Sequence, residues 1–154
     1  MEEGIFTIIN MEDQVLFYGG KWGCFSNMSS YAVEIDGVLY MTSEHAYQAA
    51  KFSDPELQQR IIAARSGFEA KMLSLEFDSF VPTNWNDIKL DVMEKILRAK
   101  LEQHPHIREK LLETGDRDII EASPHDDFWG WGAEKNGQNM HGKLWMKLRS
   151  EIAK

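Results

Sequence analysis

A long apolar stripe decides the class of fold open to this chain. Between Thr83 and about His104, the residues Trp85, Ile88, Val92, Met93, Ile96, Leu97 and Leu101 recur at helical spacing. One face of a long helix must therefore be buried. Such a helix needs other elements against it, and the sequence offers mostly further helices. One is predicted from Thr42 or Ser43 to near Ser53-Asp54-Pro55, with Thr42 or Ser43 as its cap. Asp54 caps a second with Pro55 at its first position. Ser66 caps a third, broken around Ser79 to Pro82. A short helix from His106 to Thr114 ends at Gly115, and a last one runs from about Gln138 to Ile152. In that last helix Leu144, Trp145, Leu148 and Ile152 face inward, and Gly142 marks a close approach by another element.

The first forty residues read as strands and turns. Ile5–Ile9 and Gln14–Tyr18 are β-rich. Asp36-Gly37 between Tyr31–Ile35 and Val38–Met41 signals a hairpin. Ile119-Ile120 is a short buried strand. The expected class is mainly α with small β elements near the N-terminus. No linker or repeat divides residues 1–154, so a single compact domain is expected.

Composition narrows the functions. The 154 residues carry 25 acids against 17 Lys plus Arg, a net charge of −8. Such a surface repels a polyanion and disfavours generic nucleic-acid binding. The single cysteine, Cys24, permits no internal disulfide and suits a reducing compartment. Met1-Glu2-Glu3 lacks the basic start of a signal peptide, and no apolar run reaches the ~20 residues that span a bilayer. The expectation is a cytoplasmic protein with no membrane partner. No P-loop or dinucleotide fingerprint is present. The histidines and acids lack metal-site spacing, so neither a metal nor an organic cofactor is expected. The sequence leaves the oligomeric state unknown.

Two stretches carry chemistry. In Thr42–Phe52, the spacing predicts one helical stripe of Glu44, Gln48 and Lys51, with Tyr47 at its edge and His45 on the next stripe. Read functionally, the stripe presents a carboxylate, an amide and an amine to a cleft. Glu44 would then exchange protons, and a desolvated Lys51 would serve as an amine nucleophile. Read plainly, it is an exposed face with an ordinary Glu–Lys interaction. The second stretch, Asp126-Asp127-Phe128-Trp129-Gly130-Trp131-Gly132, sets acids beside tryptophans that offer a flat surface for a heterocycle. Its plain reading is a hydrophobic plug with an aspartate-capped turn. Asn139 caps the last helix or contacts a ligand, and the helix start beside it can hold an anion. Phe25-Ser26-Asn27 is either a binding loop or a turn.

Taken together, these pieces resemble the YbiA-like family, also called NADAR, for NAD- and ADP-ribose-associated. The resemblance rests on Phe17-Tyr18, Phe25-Ser26-Asn27, Asp36-Gly37, Thr42-Ser43-Glu44-His45 with Gln48 and Lys51-Phe52, Trp85, Val92-Met93 and Ala99-Lys100. It continues through Asp126 with Trp129-Gly130 and Gly132, then Asn139, Gly142, Met146 and Arg149. Met28 and Trp145 stand where an aromatic and a small aliphatic residue are common in that family.

The resemblance implies a mainly helical fold and N-glycosidase chemistry on phosphoribosylamino-pyrimidine intermediates of riboflavin synthesis, which limits reactive metabolites. Other branches remove ADP-ribose from guanine in nucleic acid. A non-catalytic module binding ADP-ribose or a related nucleotide is the rival from another class. Under the enzymatic reading, Glu44, Lys51 and Asp126 are catalytic. Phe25, Ser26, Asn27, His45, Gln48, Trp129, Gly130 and Asn139 are then substrate contacts.

Overall fold

In a computed structural model of the protein, residues 13–153 are described. The strand expected over Ile5–Ile9 lies outside them. Helices dominate, with short strands, as the apolar stripe required. The chain divides into two compact units, one of residues 13–26 and 108–153 and one of residues 27–107. Among the described residues no helix is long and apolar enough to cross a membrane.

The first unit is built on a parallel pair. Strand β1 (Gln14–Phe17) pairs with β4 (Asp118–Glu121), with Gln14 opposite Asp118 and Phe17 opposite Glu121. Val15, Phe17 and Ile119 are fully buried. The C-terminal helix, α6 (Met140–Ile152), lies close against β4 because Gly142 has no side chain. A Cβ there would lie 2.0 Å from the Ile119 carbonyl oxygen. Trp145 fills the core beneath, its indole N–H donating to the Phe25 carbonyl at 3.1 Å.

The second unit opens with the expected hairpin. Strands β2 (Val33–Ile35) and β3 (Val38–Tyr40) pair antiparallel. Asp36 and Gly37 both have positive φ, 52° and 82°, as a two-residue loop matching the strand twist requires. Helices α1 (Ser43–Ala49), α2 (Pro55–Ile62), α3 (Gly67–Glu76) and α4 (Trp85–Gln103) follow. Thr42, Asp54 and Ser66 cap the first three, each side chain accepting from a backbone N–H of the first turn. Ala49, Phe52, Leu57, Ile61, Ala64 and Ala70 form a shared apolar core. Helix α5 (Pro105–Glu113) leads the chain back to the first unit.

The α4 stripe needs one correction. Trp85, Met93, Ile96, Leu97 and Leu101 are buried and Val92 is half-buried, but Ile88 is 37% exposed. At about 100° per residue the buried face centres on Met93 and Leu97, which leaves Ile88 well to one side. That same turn of the helix buries Lys100 completely, between Ile96 and Leu97. Its ammonium donates to Ser29 Oγ at 3.1 Å and lies 5.4 Å from the Tyr31 ring centroid.

Candidate active site

Helix α1 is short and wholly buried, including Glu44, His45 and Gln48. The exposed-face reading is thereby excluded for these residues. Its start is tied down twice: Thr42 Oγ1 accepts from the His45 N–H at 3.2 Å, and the Glu44 N–H donates to the Asn27 carbonyl at 3.0 Å. Gly67 at the head of α3 allows close packing, since a Cβ there would sit 3.1 Å from Glu44 Cβ.

On this helix Glu44 is 7% exposed and Gln48 3%. The Gln48 amide donates to Glu44 Oε1 at 2.6 Å. This bond turns the amide NH₂ toward Glu44 and its oxygen away. Gln48 Oε1 is then a buried acceptor without a hydrogen-bond partner, as are Asn27 Oδ1 and the Ser43 hydroxyl. Buried polar groups are nearly always paired, and each exception needs a reason.

Lys51 stands differently from the expectation. Helix α1 ends at Ala49 with Ala50 as its cap, so Lys51 lies just past the helix. Its N–H still donates to the Gln48 carbonyl at 3.2 Å, which keeps the turn closed. Its amine lies 5.3 Å from the Tyr47 ring centroid. Burial holds the Lys51 pKa below the ordinary lysine value, aided by Lys71 and Lys89; Glu44 and Asp78 pull the other way. A carboxylate, an amide and a partly desolvated amine thus occur along one short segment.

Two expected ligand contacts have structural partners. His45 is 1% exposed, and both ring nitrogens are taken. Nε2 donates to the Ala64 carbonyl at 2.9 Å, and Nδ1 faces Thr42 Oγ1 at 2.7 Å. Phe25 is fully buried beside Trp22 and Trp145, and it offers the core its ring and its carbonyl. Ser26 closes a turn through its N–H to the Gly23 carbonyl. Asn27 remains with the stripe; its amide donates to Met93 Sδ at 3.3 Å.

In the first unit, the Asp126–Gly132 segment is a densely bonded frame. Asp126 Oδ1 accepts from the N–H groups of Phe128 (2.9 Å) and Trp129 (2.7 Å). The carbonyls of Asp127, Phe128, Trp129, Gly130 and Trp131 accept from the N–H groups of Gln138, Met140, His141, Asn139 and Gly137 respectively. These last donors include the first N–H groups of α6, so the anion site expected at that helix start is replaced by the loop's own carbonyls. Gly130 is required, because a Cβ would lie 2.8 Å from the Glu121 carbonyl oxygen. Trp129 is half-buried, edge-on to Phe128 with centroids 4.8 Å apart.

Asn139 holds the N-cap position of α6, in the left-handed conformation, but its side chain does not cap the helix. Its Oδ1 accepts from the Glu121 N–H and its Nδ2 donates to the Ile119 carbonyl, both at 2.9 Å. The amide extends β4 like a neighbouring strand, with one hydrogen bond from each of its polar atoms. Arg149, half-buried, is bonded within the protein: Nη1 donates to the Arg117 carbonyl and Thr114 Oγ1, and burial lowers its pKa. Glu121 and His141 went unnoticed in the sequence; they meet beneath the loop, 3.5 Å apart. Nothing in their spacing, twenty residues apart, could have signalled it.

A surface groove of about 460 Å³ lies along β2 and α4, lined by Glu34, Asp36, Asp91, Glu94, Lys95 and Arg98 among others. It shares no residue with the α1 stripe. Its cations are already paired, Lys95 with Asp36 and Arg98 with Glu94, so it offers no comparable chemistry.

The NADAR domain model matches residues 16–153. The chain belongs to the NADAR family. Among NADAR relatives, N-glycosidase YbiA of Escherichia coli is 36% identical over 146 residues, covering 93% of this chain and 91% of that protein. An N-glycosidase of Nostoc punctiforme is 40% identical over 134 residues, covering 85% and 86%. The chloroplastic riboflavin biosynthesis protein PYRR of Zea mays is 36% identical over 159 residues, covering 92% of this chain but only 26% of its own length. The NMR structure of E. coli YbiA superposes with a TM-score of 0.83 at 35% identity, over 91% of this chain and 84% of that one.

Proposed function

We propose that this NADAR protein is an N-glycosidase that hydrolyses the C1–N bond of a phosphoribosylamino-pyrimidine. The carrying observation is the buried Glu44–Gln48 pair followed by Lys51 with its lowered pKa. The N-glycosidase relatives and the riboflavin biosynthesis relative support the reaction and the substrate class. The same reading makes the protein cytoplasmic, where it would limit reactive intermediates.

Cleaving a ribosyl C1–N bond requires a proton on the leaving nitrogen and a stabilised or captured C1. A ribosylamine opens to a C1 imine. The neutral Lys51 amine adds to C1, the leaving amine departs with a proton, and a Lys51–C1 imine remains. Water then adds to C1 and releases the sugar phosphate and free Lys51, so the net reaction consumes one water. Glu44 moves the protons between these nitrogens. The unpartnered acceptors Gln48 Oε1 and Asn27 Oδ1 suit a substrate rich in N–H and O–H donors. Trp129 is assigned to base contact on its own unit, and Asp126 to holding that residue in place.

The test is incubation with ribosylamino-pyrimidine phosphates and with ADP-ribosylated guanine, reading released base and sugar by mass spectrometry. Borohydride added during turnover should trap a mass increase on the peptide containing Lys51. Release only from ADP-ribosylated guanine would replace the substrate. Binding without release would reject the enzyme, and an adduct on Lys71 or Lys100 would move the nucleophile.

A further inference from the structure

We propose that Glu121 and His141 act together as positioning residues for Trp129, an inference that rests on the assignment of Trp129 to ligand contact. One member is fully buried and the other, Glu121, has a side chain 19% exposed. His141 is 1% exposed, with its ring edge-on to Phe17 (4.9 Å between centroids) and stacked near Trp145 (6.4 Å). Its Nδ1 lies 3.5 Å from Glu121 Oε1. The remaining atom of each group, His141 Nε2 and Glu121 Oε2, is buried without a hydrogen-bond partner. Apolar residues of similar size would fill this space without such orphaned atoms, so packing alone does not account for the pair.

The backbone shows what the pair controls. The His141 N–H donates to the Trp129 carbonyl at 3.1 Å, and the Glu121 carbonyl accepts from the Trp131 N–H at 3.0 Å. The residues on either side of Gly130 are thus hung from the two members of one side-chain pair. Gly130 sits directly over it: a Cβ there would lie 3.3 Å from Glu121 Oε2. The Glu121–His141 contact therefore sets the spacing between the end of β4 and the start of α6. That spacing fixes the backbone that carries the Trp129 ring.

The test uses Glu121→Gln, His141→Gln and the double variant in the full chain. Two readouts are taken: KM and kcat on the ribosylamine panel, and the Trp129 indole NMR signal, identified by its loss in Trp129→Phe. Each single variant should move the Trp129 signal and raise KM about tenfold, a mid-range coupling for contacting side chains. The double variant should be no worse than either single one, because the two act as a unit. An unmoved Trp129 signal overturns the proposal, whether or not KM changes. So does a joint shift of all five tryptophan signals with a lowered unfolding temperature, which would make the pair ordinary core. If the unaltered protein turns over nothing on the panel, the N-glycosidase reading fails, while the Trp129 signal still decides this one.

Discussion

The α1 stripe and the Trp129–Gly130 loop draw on similar residue types but treat their polar atoms in opposite ways. Around α1, Ser43 Oγ, Gln48 Oε1 and Asn27 Oδ1 are buried without partners. Along the loop, five successive carbonyls are taken and Asp126 ties down two N–H groups. An orphaned buried polar atom costs about 1–3 kcal/mol. A segment that tolerates several is arranged for something other than stability. The loop's own backbone is largely tied down and serves as a frame, while the orphaned atoms of its region, Glu121 Oε2 and His141 Nε2, lie beneath it. The contrast is in keeping with the proposal that the stripe carries the proton transfer and bond-making and that the loop presents an aromatic ring.

The largest effect is expected at Glu44. Glu44→Gln is nearly isosteric but removes proton exchange, so turnover should fall by ~10²–10⁴-fold with the fold intact. Near-normal kcat would break the contrast at its root. Trp85→Ala should destabilise the chain by about 3–5 kcal/mol, because Trp85 is 8% exposed at the head of α4, its ring 5.4 Å from Tyr47. Urea unfolding measures this, and an unchanged midpoint would show that the stripe does not lean on Trp85.

The pH profile probes Lys51. Burial lowers its pKa, so the neutral amine appears at lower pH than for an exposed lysine. On the acid side kcat/KM should climb about tenfold per pH unit and level off once pH passes that lowered value. By linkage, the unfolded chain holds this proton more tightly than the folded one. Folding stability should therefore rise as pH climbs from the folded value toward the ordinary lysine value. A profile unchanged in Lys51→Met would remove the amine from the reaction.

Smaller effects sharpen the loop's side of the contrast. Asp126→Ala should cost about 0.5–2 kcal/mol, in the range for losing a capping side chain. Asp126→Asn, which keeps an acceptor oxygen, should restore most of the loss by thermal unfolding. If Asp126→Asn is stable but inactive, the carboxylate is chemical and the loop is more than a frame. Ser43→Ala removes a buried hydroxyl without a partner, so it should raise stability by about 1 kcal/mol. Lower stability would mean that the hydroxyl is satisfied within the protein.

Local rules carried much of the fold. Thr42, Asp54 and Ser66 cap as their positions implied, and Asp36-Gly37 turns as it must. Gly142 announced a close neighbour, and β4 is that neighbour. Long-range choices stayed hidden. Spacing could not tell whether Glu44 and Gln48 face solvent or core, because a polar stripe reads the same either way. Asn139 looked like a cap or a ligand contact; only the position of β4 reveals that its amide bonds Glu121 and Ile119. The same holds for Glu121 and His141, which chain separation keeps apart on paper. Lys100 was visible as part of a family pattern, yet its complete burial follows from the rotation of α4 rather than from any neighbour in sequence.

The parallel pairing of β1 with β4 has a consequence for synthesis. Gln14 is opposite Asp118, and all of residues 27–107 are made between them. A ribosome releases the chain from its N-terminus. The second unit is contiguous and is complete in sequence before β4 exists, whereas β1 emerges before that unit and, among the described residues, gains its ladder partner only with β4. Its Val15 and Phe17, fully buried at the end, begin as the exposed apolar positions of an unpaired strand. A strand made before the whole second unit is thus paired only after it, and closing that ladder spans residues 14 to 118.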